Sequence, residues 1–381
     1  MNIAVPREIV EGEHRVAVVP DTIKRMVRDG LQVRVEAGAG EAAGFGDDRY
    51  ADAGADLVRG TEVWTGADLL LKIQMPTAAE ADRLSADIPI VGLFLPLFDH
   101  DGVRRLLARR VTAFSLDQLP RITRAQSMDV LSSMSTVSGY KAVLLAAATV
   151  GKFFPMLVTA AGTIAPAKVL VLGAGVAGLQ AIATARRLGA VVSAFDVRAA
   201  VKEQVESLGA RFIEEEEGPG GDAEDAGGYA RELSADQHQR ELDLIHRHIT
   251  EVDVVITTAL IPGRPAPELI TEAMVRDMRA GATIVDLASE TGGNCALTEP
   301  GQTVVRHGVT ILGPLNLPAS MPSDASQMYS KNMHTFVKHI VADGALHLDF
   351  EDEITGAACI TRDGVVVNDR VRQAVEGGSA S

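Results

Sequence analysis

A run of apolar residues followed by spaced glycines is the strongest pattern in the chain. Residues 169–172 are continuously apolar, which is typical of a strand buried on both faces. Apolar residues then recur at every third position over 179–188, and this period predicts a helix with one buried face. Gly189 follows the helix, and residues 190–195 predict a second strand that ends at Asp196. The order of strand, glycines, helix and strand predicts a βαβ unit.

The glycines between the first strand and the helix have the spacing G-x-G-x-x-G. Gly173 permits a tight turn, Gly175 lets the backbone approach a pyrophosphate, and Gly178 lets helix and strand pack closely. The helix N-terminus offers unpaired N–H groups and a partial positive charge to phosphates. Asp196 can accept hydrogen bonds from a ribose 2′-OH and would repel a 2′-phosphate, so NAD(H) is favoured over NADP(H). Arg198 tempers this choice because a nearby arginine can accommodate a 2′-phosphate. A glycine-rich turn that binds no nucleotide is the alternative.

The N-terminal third alternates strand and helix patterns in a similar way. Strands are predicted at 3–5, 33–36, 67–73, 89–95 and 111–115, and helices at 22–29 (capped by Asp21), 51–58 and 102–109. This alternation predicts a doubly wound domain. Because it lacks a glycine fingerprint, we assign it no nucleotide. After residue 200, further strands of the central domain are predicted at 211–213, 252–257, 283–286 and 309–312.

Two long helical patterns connect the two halves. Residues 128–154 predict a helix that crosses to the second domain, with Gly139 as a candidate bend. A helix capped by Ser323 or Asp324 and running to 341 predicts a second crossing. We therefore expect an α/β protein with two doubly wound Rossmann-like domains joined by two long crossing helices. The expected domains are 1–126 plus 330–381 (discontinuous) and 140–318 (NAD(H)-binding), with inter-domain connections at 127–139 and 319–329.

Composition narrows the class of protein. The 381 residues are 46% hydrophobic and 23% charged, which is ordinary for a globular chain long enough for two cores. A net charge of −15 argues against nucleic acid and anionic membrane surfaces as partners. Cys295 and Cys359 are the only cysteines, which indicates a reducing compartment. The pattern predicts no signal peptide and no membrane span, and His246 and His248 lack further ligands at metal spacing, so no metal is expected.

An acidic, glycine-rich insertion occupies residues 214–232. Its composition predicts a mobile loop. Tyr229 is the only aromatic residue in it. A solvated linker and a lid that packs Tyr229 on a bound cofactor are equally supported alternatives at this point. For the polar segment 121–132, the residues alone favour a helix-capping loop over a binding loop, because Ser127 and Asp129 are good N-caps for the helix that follows.

Longer motifs resemble one family. PREIVEGEHRVAVVP (6–20) and VLGAGVAGLQAIATARRLGA (171–190) resemble signatures shared by alanine dehydrogenases and the NAD(H)-binding subunit of proton-translocating nicotinamide nucleotide transhydrogenases. RITRAQSMDVLSS, TTALIPGRPAP, SETGGNC and MPSDASQMYSKN resemble the transhydrogenase branch. The resemblance covers nearly the whole chain. It implies a cytoplasmic homodimer that docks on separate membrane-spanning and NADP(H)-binding subunits, and so attaches peripherally to the inner face of the plasma membrane.

The resemblance also implies roles for individual residues. The catalytic candidates match a loop that cradles the nicotinamide: Arg121, Gln126, Asp129 and Ser132. Asp129 would accept from the carboxamide NH₂ and Ser132 would donate to its carbonyl. Arg121 would order the loop or neutralise phosphate, and Gln126 would bridge to the second nucleotide. The expected cofactor-binding residues are Gly173, Gly175, Val176, Gly178, Asp196, Val197, Arg198, Gly228, Tyr229 and Leu260.

The expected activity is that of a Re/Si-specific NAD(P)⁺ transhydrogenase that works only with its partner subunits. Hydride would pass directly between NAD(H) on this chain and NADP(H) on a partner, so no general acid or base is needed and catalysis is positioning.

Alanine dehydrogenase is the second hypothesis. Arg15 and Lys72 match that group's carboxylate-binding residues. However, leucines, a phenylalanine and a proline occupy 93–97 where its catalytic His would fall, His100 lies too late, and Glu290 replaces its catalytic Asp. We therefore expect Arg15 and Lys72 to be structural relics or ion-paired residues. A non-catalytic NAD(H) sensor is the third hypothesis.

Overall fold

The structure is a computed structural model that describes residues 1–214, 235–261 and 263–377. The strands in chain order are β1 (Asn2–Val5), β2 (Gln32–Glu36), β3 (Asp56–Val58), β4 (Leu69–Leu71), β5 (Ile90–Gly92), β6 (Ala113–Ser115), β7 (Leu157–Thr159), β8 (Gly162–Ile164), β9 (Lys168–Leu172), β10 (Val191–Phe195), β11 (Arg211–Phe212), β12 (Val254–Thr257), β13 (Thr283–Asp286), β14 (Thr303–Arg306), β15 (Val309–Leu312), β16 (Val341–Ala342), β17 (Ala345–Leu346), β18 (Cys359–Arg362) and β19 (Val365–Val366).

The helices in chain order are α1 (Pro20–Arg28), α2 (Asp47–Asp52), α3 (Ala78–Ala81), α4 (His100–Ala108), α5 (Val130–Thr149), α6 (Val176–Arg187), α7 (Lys202–Ser207), α8 (Ala235–Ile249), α9 (Glu272–Asp277), α10 (Pro322–Ile340), α11 (Glu353–Ala358) and α12 (Asp369–Gly377). The chain divides into two compact units. The first comprises Met1–Met134 with Pro318–Ser381, and the second comprises Ser135–Leu317.

The first unit is built on a mainly parallel sheet. Its strands lie in the order β19-β18-β6-β5-β4-β1-β2-β3, with β18 and β19 antiparallel to their neighbours. Leu69, Leu70 and Leu71 of β4 are fully buried, as expected for a strand covered on both faces. The buried stripe of α10 includes Phe336, whose ring centroid lies 5.7 Å from that of Phe114 on β6. The C-terminal segment therefore completes the first unit.

The second unit has the strand order of a dinucleotide-binding fold. Its sheet is β11-β10-β9-β12-β13-β15-β14, and every pair is parallel except β14 with β15. Alternate residues of β9 enter two different hydrophobic clusters, so both faces of the sheet are covered. Strand β9 has β10 on one side and β12 on the other, so the order in which the chain adds strands to the sheet changes direction at β9. This is the switch point where open α/β sheets bind ligands, and the α/β class predicted from the sequence is confirmed.

Several helices and strands begin or end at residues other than those predicted, because of local backbone conformation and contacts. The helix predicted at 51–58 is wrong, because Gly54 has φ +91° and ends the helical stretch. Residues 56–58 then pair with β2 as a strand. Helix α1 begins one residue before its predicted cap Asp21, because Pro20 occupies the first helical turn after Val19. Likewise α10 starts at Pro322, before the predicted caps.

The two helices predicted to cross between domains differ from expectation. Helix α5 is shorter than 128–154, since the Asp129 carboxylate accepts from the Ser132 amide and starts the helix at Val130. Gly139, the candidate bend, lies within this continuous helix. A Cβ there would lie 2.1 Å from the carbonyl oxygen of Ala177, so this glycine permits close packing on α6. Helix α5 continues from the first unit into the second along the chain, whereas α10 belongs wholly to the first unit.

Within the described part of the chain, α5 has the length and apolar composition that could cross a membrane, and 39% of its most apolar window is buried. Buried helices of soluble proteins share these properties. Ala142, Val143 and Ala146 of α5 lie in the hydrophobic core of the second unit. The helix is therefore weak evidence for a membrane span.

Candidate functional site

The glycine turn between β9 and α6 has the geometry that dinucleotide binding requires. Gly173 has φ +96°, a left-handed conformation that favours glycine. A Cβ on Gly178 would lie 1.9 Å from the Gly173 carbonyl oxygen, so only glycine lets the helix approach the strand. At Gly175, by contrast, a Cβ would meet nothing closer than the Arg198 guanidinium at 4.0 Å. The turn is thus tightly packed inside and open at the helix N-terminus, where a pyrophosphate fits.

The residues flanking this opening are accessible. Gly175 is the N-cap of α6, with no side chain accepting from the first helical amides. Val176, the first residue of α6, is 44% exposed. Thr258, which follows β12, donates from its hydroxyl to the Gly173 carbonyl over 3.0 Å and fixes the turn from the neighbouring strand. Amides at the start of α6 are therefore free of side-chain caps and face the open side of the turn.

Asp196 lies at the end of β10 and is already hydrogen-bonded. Its carboxylate accepts from the Ala174 amide over 2.7 Å, which ties it to the glycine turn. The Arg198 guanidinium donates from Nε and Nη2 to the two carboxylate oxygens, both over 2.9 Å. The Arg198 backbone amide donates to Oδ1 as well. A ribose hydroxyl that donates to Asp196 would have to share the carboxylate with Arg198 or displace the Arg198 guanidinium from it. Val197, between Asp196 and Arg198 in the chain, is half-buried.

The loop after β12 carries Leu260, which is 46% exposed. This loop is held by Asn294, a fully buried residue to which the sequence analysis gave no role. Asn294 donates to the carbonyls of Ala259 and Pro267 and accepts from the Ala259 amide. The only signal for this in the sequence is its place in the SETGGNC motif. Gly228 and Tyr229 lie outside the described residues.

A second carboxylate, also missed by the sequence analysis, faces the Asp196 region. Burial raises the pKa of Glu241 on α8, and the negative charge of Asp196 raises it further, although a 3.2 Å contact with His238 opposes both. The Asp196 carboxylate therefore interacts electrostatically with a second carboxylate as well as with the Arg198 guanidinium.

The segment 121–132 lies in the first unit as a 3-10 turn over Thr123–Met128 that leads into α5. Arg121 and Gln126 are exposed. Asp129 accepts from the Ser132 amide over 2.9 Å and from the Ser132 hydroxyl over 2.5 Å. The capping role considered for Asp129 is thus present in the structure. The contact also places the carboxylate and hydroxyl of the two candidates side by side, in half-buried positions.

Models for two protein domains match the chain. The alanine dehydrogenase/PNT N-terminal domain matches residues 4–138, and the alanine dehydrogenase/PNT C-terminal domain matches residues 142–369. The chain belongs to the alanine dehydrogenase/PNT family. The predicted family is therefore confirmed over almost the entire length.

Within the alanine dehydrogenase/PNT family, the chain is more similar to transhydrogenase subunits. An NAD(P) transhydrogenase subunit alpha protein of Rhodospirillum rubrum is 46% identical over 376 residues, which are 97% of this chain and 98% of that protein. Alanine dehydrogenase of Halomonas elongata is 30% identical over 383 residues, 98% and 96% of the two chains. The structure of transhydrogenase from Sinorhizobium meliloti has a TM-score of 0.85 at 40% identity, covering 97% of this chain and 99% of that one.

The residues that match alanine dehydrogenases within this family are ion-paired here. Lys72 is fully buried and contacts Glu80 over 2.7 Å and Glu8 over 3.1 Å. Burial alone would lower the pKa of Lys72, but the two carboxylates outweigh it and raise the pKa. Arg15 donates from Nε and Nη2 to both carboxylate oxygens of Glu13, over 2.8 and 2.6 Å. Both residues are thus ion-paired, which is one of the two alternatives expected from the sequence.

The other positions that separate the two branches are also placed by the structure. His100 begins α4, and its Nε2 lies 3.1 Å from the Leu97 carbonyl oxygen. Glu290 accepts a short hydrogen bond from the Asn316 amide. Among the described residues, no group of three or more His, Cys, Asp or Glu side chains is arranged to hold a metal ion.

Proposed function

We propose that this chain is the NAD(H)-binding component of a proton-translocating NAD(P)⁺ transhydrogenase. The observation that carries the proposal is the glycine turn of the second unit, with its open helix N-terminus at Gly175 and Asp196 at the end of the next strand. Full-length similarity to transhydrogenase alpha subunits, at 42–46% identity, selects this function within the family. When bound, the nicotinamide supplies the hydride chemistry, between NAD(H) on this chain and NADP(H) on a partner subunit.

The chain's own residues would bind and orient the dinucleotide. Gly173, Gly175 and Gly178 shape the turn under the pyrophosphate, and the amides at Val176 donate to it. Asp196 accepts from the adenosine ribose once the Arg198 guanidinium moves aside, and Val197 flanks the adenosine. Leu260 lines the crevice beside β12, on the loop that Asn294 holds. Gly228 and Tyr229, which lie outside the described residues, remain proposed cofactor-binding residues.

The nicotinamide end belongs to the loop of the first unit. We assign Asp129 and Ser132 to the carboxamide, whose NH₂ donates to a carboxylate and whose carbonyl accepts from a hydroxyl. The Ser132 hydroxyl, now directed at Asp129, would turn to the ligand. The exposed Gln126 would bridge to the second nucleotide, and Arg121 would order the loop or neutralise phosphate. These residues act by orientation and water exclusion, not by proton transfer.

The proposed partners are a second copy of this chain and the membrane-spanning and NADP(H)-binding subunits, which would hold it at the inner face of the plasma membrane. An exposed apolar hairpin supports the homodimer. Val158 on β7 is 78% exposed and the preceding Met156 is 59% exposed. Exposed apolar patches of this kind mark protein interfaces. The domain division at 1–126 plus 330–381 and 140–318 also stays a proposal.

Alanine dehydrogenase activity is not favoured, because both basic residues that would bind a carboxylate substrate already face carboxylates. The test is an assay of the purified chain with NADH, pyruvate and ammonia, and no other protein. We expect no NADH oxidation. Turnover under these conditions would move the chain to the alanine dehydrogenase branch.

A second measurement separates hydride transfer from a sensor that only binds NAD(H). The Gln126→Asn variant shortens an exposed side chain without touching a buried contact. We expect it to lower transfer strongly and leave the affinity for NADH unchanged. NADH binding by the unaltered chain, with no transfer to any added subunit, would support the sensor instead.

A further inference from the structure

A buried amide on α10 holds the loop that carries the nicotinamide candidates. Asn332 is only 7% exposed. Its Nδ2 donates to the Ser127 carbonyl over 2.9 Å, and its Oδ1 accepts from the Ser133 hydroxyl over 2.7 Å. The two contacts bracket residues 128–132, and they lie entirely within the first unit. One side chain thus fixes both ends of the turn that includes Asp129 and Ser132.

Asn332 is an unusual residue for the buried face of α10. The buried stripe of α10 is otherwise mostly apolar or small, with Tyr329, Met333 and Phe336 as its large members. A primary amide in such a stripe costs stability unless its hydrogen bonds are satisfied. The orientation of the amide is also determined, because the Ser127 carbonyl can only accept and must face the NH₂ group.

Two other polar contacts of this loop lie in more exposed positions or within the turn itself. Arg124 donates to Asp352 over 3.0 Å, but its side chain is 60% exposed. The Asp129 amide contacts the Gln126 carbonyl over 3.3 Å inside the same turn. Exposed ion pairs hold geometry weakly. Asn332 is therefore a buried polar contact on both sides of Asp129 and Ser132, and it contributes to setting where they lie.

We propose that Asn332 is a positioning residue for hydride transfer: it orients the nicotinamide-binding loop without touching the cofactor. This inference rests on the proposed function. Loss of the amide would let the loop shift by a fraction of an ångström to an ångström, and misplacement of that size can cost about 100-fold in rate. The glycine turn and Asp196, to which we assign the adenosine half, make their contacts within the second unit, so we expect the affinity for NADH to depend little on Asn332.

The test compares Asn332→Leu with a matched control on the same helix. Ser330 is also buried, and its hydroxyl contacts the Val19 amide and Thr22, away from the loop. Each variant is assayed for transfer with the NADP(H)-binding subunit, for NADH affinity, and for the fluorescence emission of bound NADH. We expect Asn332→Leu to lower kcat roughly 10-fold or more, to change Kd by less than about 3-fold, and to shift the emission. Ser330→Ala should match the unaltered chain.

The Asn332→Asp variant adds a readout that a purely structural role would not give. A protonated carboxylic acid can donate to the Ser127 carbonyl and accept from Ser133, as the amide does. Its ionised form would instead face that carbonyl with a negative charge. We therefore expect transfer by Asn332→Asp, relative to the unaltered chain, to recover as pH falls. Burial should place this transition above the usual range of an aspartate.

The outcomes separate the inference from the proposed function. If the unaltered chain and Ser330→Ala both transfer hydride, then a kcat for Asn332→Leu within about twofold of theirs overturns the inference. A pH-independent ratio for Asn332→Asp overturns it as well, and this measurement also decides the matter should Asn332→Leu fail to fold. If the unaltered chain shows no transfer with the added subunit, the proposed function fails. The emission of bound NADH then still decides the inference, because an unshifted emission for Asn332→Leu contradicts it.

Discussion

Replacing two glycines of the same turn by alanine should separate cofactor binding from folding. At Gly178 the added Cβ would lie 1.9 Å from the Gly173 carbonyl oxygen and 2.8 Å from its carbon, both backbone atoms that cannot rotate away. Strand β9 or helix α6 must then move. Overpacking of this kind costs about 1–3 kcal/mol or more in the free energy of unfolding.

A Cβ added at Gly175 would have the Arg198 guanidinium, 4.0 Å away, as its nearest neighbour. The residue has φ −74° and ψ −168°, an extended conformation open to alanine. The loss of a favourable N-cap residue and the lower entropy of the unfolded chain largely offset each other, so the free energy of unfolding should change by less than about 1 kcal/mol. The methyl group would instead occupy the space where the pyrophosphate approaches.

We therefore expect Gly175→Ala to weaken NADH binding at least roughly 10-fold, or about 1.4 kcal/mol, with unfolding nearly unchanged. Gly178→Ala should lower both the affinity for NADH and the free energy of unfolding. Urea unfolding measures stability, and NADH fluorescence titration measures affinity. Gly175→Ala binding NADH as tightly as the unaltered chain would refute the assignment of the pyrophosphate to this turn.

Three further perturbations test other parts of the structure. Asp196→Asn removes the charge that repels a 2′-phosphate, so the ratio of NADPH to NADH affinity should rise roughly 10-fold, and an unchanged ratio in binding titrations would contradict the role of Asp196. Lys72→Met leaves Glu8 and Glu80 buried without their cation and should cost about 3–5 kcal/mol in urea unfolding; a cost no greater than that of the exposed Lys24→Met would show that the ion pairs are dispensable. Burial raises the pKa of Asp352, but its N–H donors, Arg124 and His339 outweigh this and hold the pKa at about 2, below the ordinary 3.8. Because the folded-state pKa is depressed, the stabilisation by Asp352 is present above about pH 4 and lost as pH falls toward 2, so Asp352→Asn should flatten the acid side of the stability profile, and an unchanged profile would count against this linkage.

The parts of the fold that the sequence predicted well depend on neighbours along the chain. The unit from β9 to β10 was predicted because its buried strand, glycines and helix follow one another directly. The α5 start was misplaced by two residues because the Asp129 side chain, rather than the apolar period, begins the helix. The boundary at Gly54 was missed because its left-handed φ is a backbone property that the composition of 51–58 does not reveal.

The candidate site was predictable to a similar extent. The glycine spacing and Asp196 carry their chemistry in the local sequence, and the structure places them together through the Ala174 amide. Asn294 and Asn332 were not predicted because their contacts join segments far apart in the chain, 205 residues apart for Asn332 and Ser127. Arg198 was predicted to lie near Asp196. That its guanidinium donates hydrogen bonds to the Asp196 carboxylate was not predicted.

The most direct test of the central claim is a hydride-exchange assay. The purified chain is mixed with NADH, a reducible NAD analogue and NADPH, with and without the NADP(H)-binding subunit of a transhydrogenase. The account predicts reduction of the analogue only when the subunit is present. Reduction without it, or none in its presence although NADH is bound, would contradict the proposal that this chain positions NAD(H) for transfer to a partner.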